Sequence, residues 1–117
     1  MTLPVLDPVV VASLRRLTLP GEPDVLKEVL ELFLADVPLR IDRLRVAGTA
    51  GDAAGLQRLA HSLKSSAGNI GAHGLMAVCR RLDDLGRSGD LAGGQVLVES
   101  LQTEYARVES EIHRLIG

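Results

Sequence analysis

Leu59-Ala60-His61-Ser62-Leu63-Lys64-Ser65-Ser66-Ala67-Gly68-Asn69-Ile70-Gly71-Ala72 is the most informative stretch of the chain. On a helical wheel at ~100° per residue, with His61 at zero, Leu59, Leu63 and Ile70 fall within ~20° of the opposite pole and Leu56 within ~40°. Gln57, Lys64, Ser65, Gly68 and Ala54 fall within ~60° of His61 on the same scale. The segment therefore reads as an amphipathic helix from about Ala53 to Gly71, with leucines inward and His61 outward. Lys64 lies one turn beyond the histidine, and small residues surround both. A glycine in a helix interior costs ~1 kcal/mol relative to alanine. Close helix packing accounts for small residues at Ala67 and Gly71. Gly68 lies on the histidine side and reads as clearance for something that approaches the ring.

Working outward, the period is helical nearly everywhere. Upstream, Leu26, Leu30, Phe33, Val37, Ile41 and Leu44 form one stripe behind a capping Asp24, and Pro38 should kink this helix or loosen its preceding turn. Leu32 and Leu39 fall off that stripe, either as scattered surface leucines or as part of a docking face. Asp7-Pro8 reads as an N-cap with proline at the first helical position of a short helix that Pro20-Gly21 stops. Gly48 through Gly55 reads as a loop. Downstream, a helix is expected over about Leu75–Leu85, then a turn at Gly86–Asp90. The last helix should run from Leu91 or Gln95 to Ile116. No strand alternation or repeat is present. Short connections between long amphipathic helices predict an all-α fold, an antiparallel four-helix bundle with a short extra N-terminal helix, as a single domain over 1–117.

The 117 residues carry a net charge of −2, which argues against nucleic-acid binding. One cysteine excludes an internal disulfide framework, and Cys79 reads as a small core residue. No apolar run reaches the ~20 residues of a membrane span, and the N-terminus lacks the pattern of a signal peptide. A cytoplasmic protein is expected. Of 13 basic residues only Lys27 and Lys64 are lysines, which draws attention to the lysine beside His61.

A neutral imidazole near pH 7 is a nucleophile, and its attack on phosphorus gives phosphohistidine. An ammonium one turn away is placed to stabilise phosphoryl oxygens. A histidine on a helix surface is ordinarily just solvated, and His-x-x-Lys alone is common. His73 and His113 offer no metal-ligand spacing to His61; His73 reads as a cap or loop residue, and His113 as favouring the dipole at a helix C-terminus. The chain has no carboxylate cluster for Mg²⁺, no Gly-rich phosphate loop and no nucleotide motif. It reads as one half of a transfer reaction.

The extended pattern supports the sharper reading. The stretch from Leu59 to Ala72 resembles the signature of histidine-containing phosphotransfer (HPt) domains, A-H-x-L-K-G-S-x-x-x-x-G-A. Phe33-Leu34-Ala35-Asp36 is similar to the family's F-L-x-D in the preceding helix. Leu75 through Arg87, before Gly89-Asp90, is similar to the helix that follows. Together these span about Leu6 to Ile116. The resemblance implies a four-helix bundle core and a phosphoryl group carried on His61 through Nε2. It implies exchange of that group with the aspartate of response-regulator receiver domains, upstream of which stands a hybrid sensor histidine kinase. Lys64 would stabilise the phosphoryl oxygens. Gln57, Arg58, Ser65, Gly68, Leu32 and Leu39 would form the partner face, and Gly71 would be structural. No cofactor of its own is expected, with Mg²⁺ on the receiver, and nothing requires more than a monomer. Ser65 departs from the family by standing where glycine is common, and its hydroxyl could donate to a phosphoryl oxygen. Met1 favours a free-standing protein over a domain of a hybrid kinase. The alternative is an adaptor that docks receivers without stable phosphorylation; an enzyme with its own turnover is disfavoured by the missing nucleotide site.

Overall fold

In a computed structural model of the chain, residues 3–117 are described, and the expected domain's first two residues, Met1 among them, lie outside that range. Five helices follow one another: α1 (Pro8–Arg15), α2 (Val25–Thr49), α3 (Ala53–Asn69), α4 (His73–Ser88) and α5 (Gly94–Ile116). The chain is all-α, with no strand among the described residues.

Aspartates start three of the helices. Asp7 accepts from the Val9 amide at 2.9 Å, Asp24 from Lys27 at 3.3 Å and Asp52 from Gly55 at 2.9 Å. Each satisfies an amide that the first turn leaves without an intrahelical partner. The α2 stripe is buried as its period requires: Leu26, Leu30, Phe33, Val37, Ile41 and Leu44 all lie in the core. It meets Leu56, Leu63 and Ile70 from the α3 segment, Leu75, Cys79 and Leu82 from α4, and Leu101, Val108 and Ile112 from α5. Each fully buried aliphatic side chain contributes ~1.5–3 kcal/mol over its exposed state. The two aromatics bridge α2 and α5, with the Phe33 and Tyr105 ring centroids 6.2 Å apart. Helix α2 packs on α3, α3 on α4, α4 on α5, and α5 closes back on α2, which is the four-helix bundle.

Helix α1 has no fully buried residue. It is anchored just before its start. Leu6 enters the core, and the Asp7 amide donates to the Gly71 carbonyl at 2.9 Å. Gly71 has φ +73°, and a Cβ there would lie 2.8 Å from Asp7 Cβ and 3.0 Å from Val10 Cβ. The turn after α3 needs glycine for its left-handed backbone and for the room it leaves.

Several expected boundaries shift. Helix α2 continues through Pro38 and Gly48 to Thr49, so the loop expected over Gly48–Gly55 shrinks to three residues. Helix α4 runs beyond the expected Leu75–Leu85 at both ends. His73 is its first residue rather than a cap or loop residue, and Gly86 lies buried inside it rather than in a turn. Helix α3 ends at Asn69, before Gly71, and α1 ends at Arg15, before Leu17.

Candidate functional site

The buried sector of α3 is Leu56, Ala60, Leu63 and Ala67, continued by Ile70. Its centre lies ~40° from the pole opposite His61, rotated towards α4. That rotation explains three departures from the wheel. Leu59, expected in the core, is half-buried, whereas Gln57 and Lys64, expected in solvent, are half-buried against α4. Gly68 sits with them, and a Cβ at that position would touch Met76 Sδ and Cε at 3.4 Å. The clearance expected at Gly68 is therefore shared with packing onto α4. His61 itself stays outward, its side chain 55% exposed.

The reason α4 approaches so closely is Gly86. A Cβ there would lie 2.7 Å from Gln57 Cβ and 2.8 Å from both the Ala53 carbonyl oxygen and the Gln57 amide nitrogen. With only hydrogen at that position the two backbones close up, and Asp83, one turn earlier, reaches beneath α3. Among the described residues Asp83 is the one buried charged side chain. Its Oδ1 accepts from Gln57 Nε2 at 2.8 Å and from Arg87 Nε at 2.9 Å. Its Oδ2 lies 3.2 Å from His61 Nδ1 and 3.5 Å from Lys64 Nζ.

Burial by itself disfavours the Asp83 carboxylate. The hydrogen bonds from Arg87, Gln57 and His61, with the charge of Arg87, outweigh it and hold the group well below the usual carboxylate range. An ionised carboxylate only accepts hydrogen bonds. Nδ1 of His61 therefore carries the ring's hydrogen and donates it to Oδ2. In the neutral ring Nε2 then holds a free lone pair, on a side chain that is 55% exposed. A histidine whose second nitrogen is tied down by a carboxylate is fixed in both tautomer and orientation.

Sequence reasoning missed Asp83 because an acid is expected to face water. The signal was present in its register: Asp83 is four residues after Cys79 and next to Leu82 on the apolar face of α4, with Arg87 four residues on. Burial pushes the Cys79 thiol up to about 12, so it remains a protonated core residue.

The expected partner-face residues separate into two groups. Arg58, Ser65, Leu32 and Leu39 are exposed, the leucines at 68% and 60%. Gln57 instead points at Asp83, and the Ser65 hydroxyl donates back to the His61 carbonyl at 3.4 Å. Leu32 lines a groove of about 320 Å³ between α2 and the α3 segment, with Phe33, Asp36, Arg40, Ser66 and Ile70. Arg40 spans it, donating to the Ser62 and Ser66 hydroxyls at 2.7 Å each while paired with Asp36. A larger cavity of about 580 Å³ lies elsewhere, between the N-terminal segment, His73 and α5, and touches none of the residues around His61. Among the described residues no group of three or more His, Cys, Asp or Glu side chains could hold a metal ion. No described helix is long and apolar enough to cross a membrane.

The Hpt domain family matches residues 28–111, which covers α3, α4 and most of α2 and α5. The crystal structure of histidine-containing phosphotransfer protein B (HptB) from Pseudomonas aeruginosa PAO1 is similar over 98% of this chain and 96% of that one. The two chains are 32% identical and superpose with a TM-score of 0.90. No curated protein matches.

Proposed function

The chain belongs to the Hpt domain family, whose role is histidine phosphotransfer in phosphorelays, and from that premise we propose that His61 is its phosphoryl carrier, exchanging the group with receiver-domain aspartates. The observation that carries this reading is the exposed imidazole with Nδ1 tied to the buried Asp83, which leaves the lone pair on Nε2. The Nε2 lone pair attacks the phosphorus of an aspartyl phosphate. The P–O bond breaks, and the aspartate leaves as a carboxylate with the bonding pair. The reverse step discharges the carrier.

Lys64 is already held beside His61 by its ion pair with Asp83. Its ammonium can turn from that carboxylate to the phosphoryl oxygens, which are the stronger anionic centre once transfer has occurred. Arg58, Ser65 and Gly68 around the ring, with Leu32 and Leu39 on α2, supply the docking face. Gln57 serves it from behind by fixing Asp83. Mg²⁺ enters on the receiver, and a hybrid sensor histidine kinase stands upstream. The carrier acts as a cytoplasmic monomer without a catalytic cycle of its own.

The test is incubation with a panel of phosphorylated receiver domains and Mg²⁺, comparing wild type with His61→Gln. Acid-labile, alkali-stable label should appear on wild type alone. Binding of receivers without any transfer would replace the carrier reading with a docking adaptor.

A further inference from the structure

We propose that Asp83 is a positioning residue that keeps the Nδ1 proton on the His61 ring after Nε2 has taken the phosphoryl group, so that the carrier stays dischargeable across the neutral pH range. This rests on the phosphocarrier reading above and deepens it. Attack through Nε2 consumes that lone pair and leaves Nδ1–H in place, so the phosphorylated ring is cationic. When the N–P bond of this form breaks, the bonding pair returns to Nε2 and a neutral imidazole leaves. Had the Nδ1 proton been lost first, the leaving group would be an imidazolate anion, which is far more basic and far slower to depart. Whether the carrier can give its phosphoryl group away therefore depends on one proton at Nδ1.

Asp83 is built to hold that proton. Its Oδ2 lies 3.2 Å from Nδ1, and its side chain is only 4% exposed, so water competes little for the bond. Its charge is fixed, because Arg87 and Gln57 occupy Oδ1. The other charged groups around the pair are few. From α3, Lys64 faces the same Oδ2 at 3.5 Å. Its cation opposes a second positive charge on the ring until the phosphoryl oxygens draw it away, which leaves Oδ2 to the imidazole. From α4, Arg87 also opposes the ring cation, but its guanidinium is bound on the other carboxylate oxygen, Oδ1. From α2, Arg40 is occupied by Asp36, Ser62 and Ser66. The buried anion is the group nearest Nδ1, and electrostatic attraction strengthens as solvent is excluded.

The experiment loads the ¹⁵N-histidine-labelled chain with phosphoramidate and follows the Nδ1 shift of phosphorylated His61 from pH 5 to 10. Discharge to water is measured in parallel. His61→Gln identifies the signal. Wild type should hold the Nδ1 proton at least about one pH unit higher than Asp83→Asn, which is a factor of about ten in proton affinity. Discharge of the variant should match wild type at pH 5 and fall about tenfold behind it once its ring has lost the proton. Asp83→Glu should recover part of the difference. Wild type phosphorylated and then unfolded in urea gives a reference that needs no folded variant, and its midpoint should also lie below that of the native chain. Equal midpoints in native and unfolded wild type, or an Asp83→Asn profile superimposable on wild type, would overturn the role of Asp83 while leaving His61 as carrier. Phosphoryl label on other histidines with none on His61 would overturn both.

Discussion

Gly68, on the histidine side of α3, and Gly86, where α4 meets α3, are both helix-interior glycines, and replacing each with alanine should move stability in opposite directions. Alanine gains up to ~1 kcal/mol over glycine in a helix from backbone entropy alone. At Gly68 the new methyl meets only Met76 Sδ and Cε, at 3.4 Å, and methionine is the most adaptable of the large apolar side chains. Gly68→Ala should therefore be neutral to ~1 kcal/mol stabilising. At Gly86 the methyl would sit 2.7–2.8 Å from Gln57 Cβ, the Gln57 amide nitrogen and the Ala53 carbonyl oxygen. Two of those atoms are backbone, so helix α4 must back away from α3 by ~0.7 Å or more to reach ordinary contact. Overpacking of this kind costs ~1–3 kcal/mol, and rigid backbone neighbours place it in the upper half of that range. After subtracting the helical gain, Gly86→Ala should be destabilised by about 1–2 kcal/mol. At ~4–8 °C per kcal/mol that is a loss of several degrees in Tm. Urea denaturation of the two variants and wild type, fitted with a common m-value, gives both numbers. A Gly86→Ala chain at least as stable as wild type would refute the close approach of α3 and α4. The same variant should also weaken the bond between Asp83 and His61, which ¹⁵N shifts of the imidazole report.

Leu63→Ala should cost ~2–5 kcal/mol in the same denaturation assay, since the side chain is 2% exposed in the core beneath His61; a near-neutral result would contradict its placement. Lys64→Ala should slow phosphoryl transfer or shorten the life of the phosphorylated form. Its effect on Tm should be small, because Asp83 keeps three other hydrogen-bonding partners. Stability should fall as pH drops below about 4. The pKa of Asp83 is lower folded than unfolded, so its contribution is complete above the unfolded value of 3.8 and is lost as acid approaches the folded one. In thermal melts at pH 2–6, Asp83→Asn should flatten this acid limb, and an unchanged limb would mean that the carboxylate is not tied as described.

The buried stripe of α2 and the outward histidine were legible because a 3.6-residue period reports directly on which side faces apolar neighbours. Two glycines were misread for a common reason. Gly48 and Gly86 have the poorest helix propensity short of proline, yet both lie in helices. At Gly48 the space is taken by the Leu56 side chain, and at Gly86 by the backbone of α3. Tertiary proximity of that kind leaves no local trace. Asp83 was missed for the converse reason: its burial becomes favourable only once Gln57, His61, Lys64 and Arg87 surround it, and three of those belong to another helix. Lys64 was placed in water because the wheel was centred on its leucines. Ala60 and Ala67, both fully buried, show where the packed sector lies.

Every side chain tied to Asp83 beneath His61 comes from α3 or α4, between Gln57 and Arg87, and the two helices are joined by only Ile70, Gly71 and Ala72. The site is therefore assembled by closing one short loop, at a far smaller entropic cost than bringing distant segments together. Topologies dominated by such local contacts fold in microseconds to milliseconds. The helical hairpin can dock His61 over Asp83 as soon as it forms, before α1 has found its place at Gly71. Helices α2 and α5 supply none of the groups tied to Asp83; they hold the hairpin from its far side, through the buried leucines, valines and isoleucines they press against it.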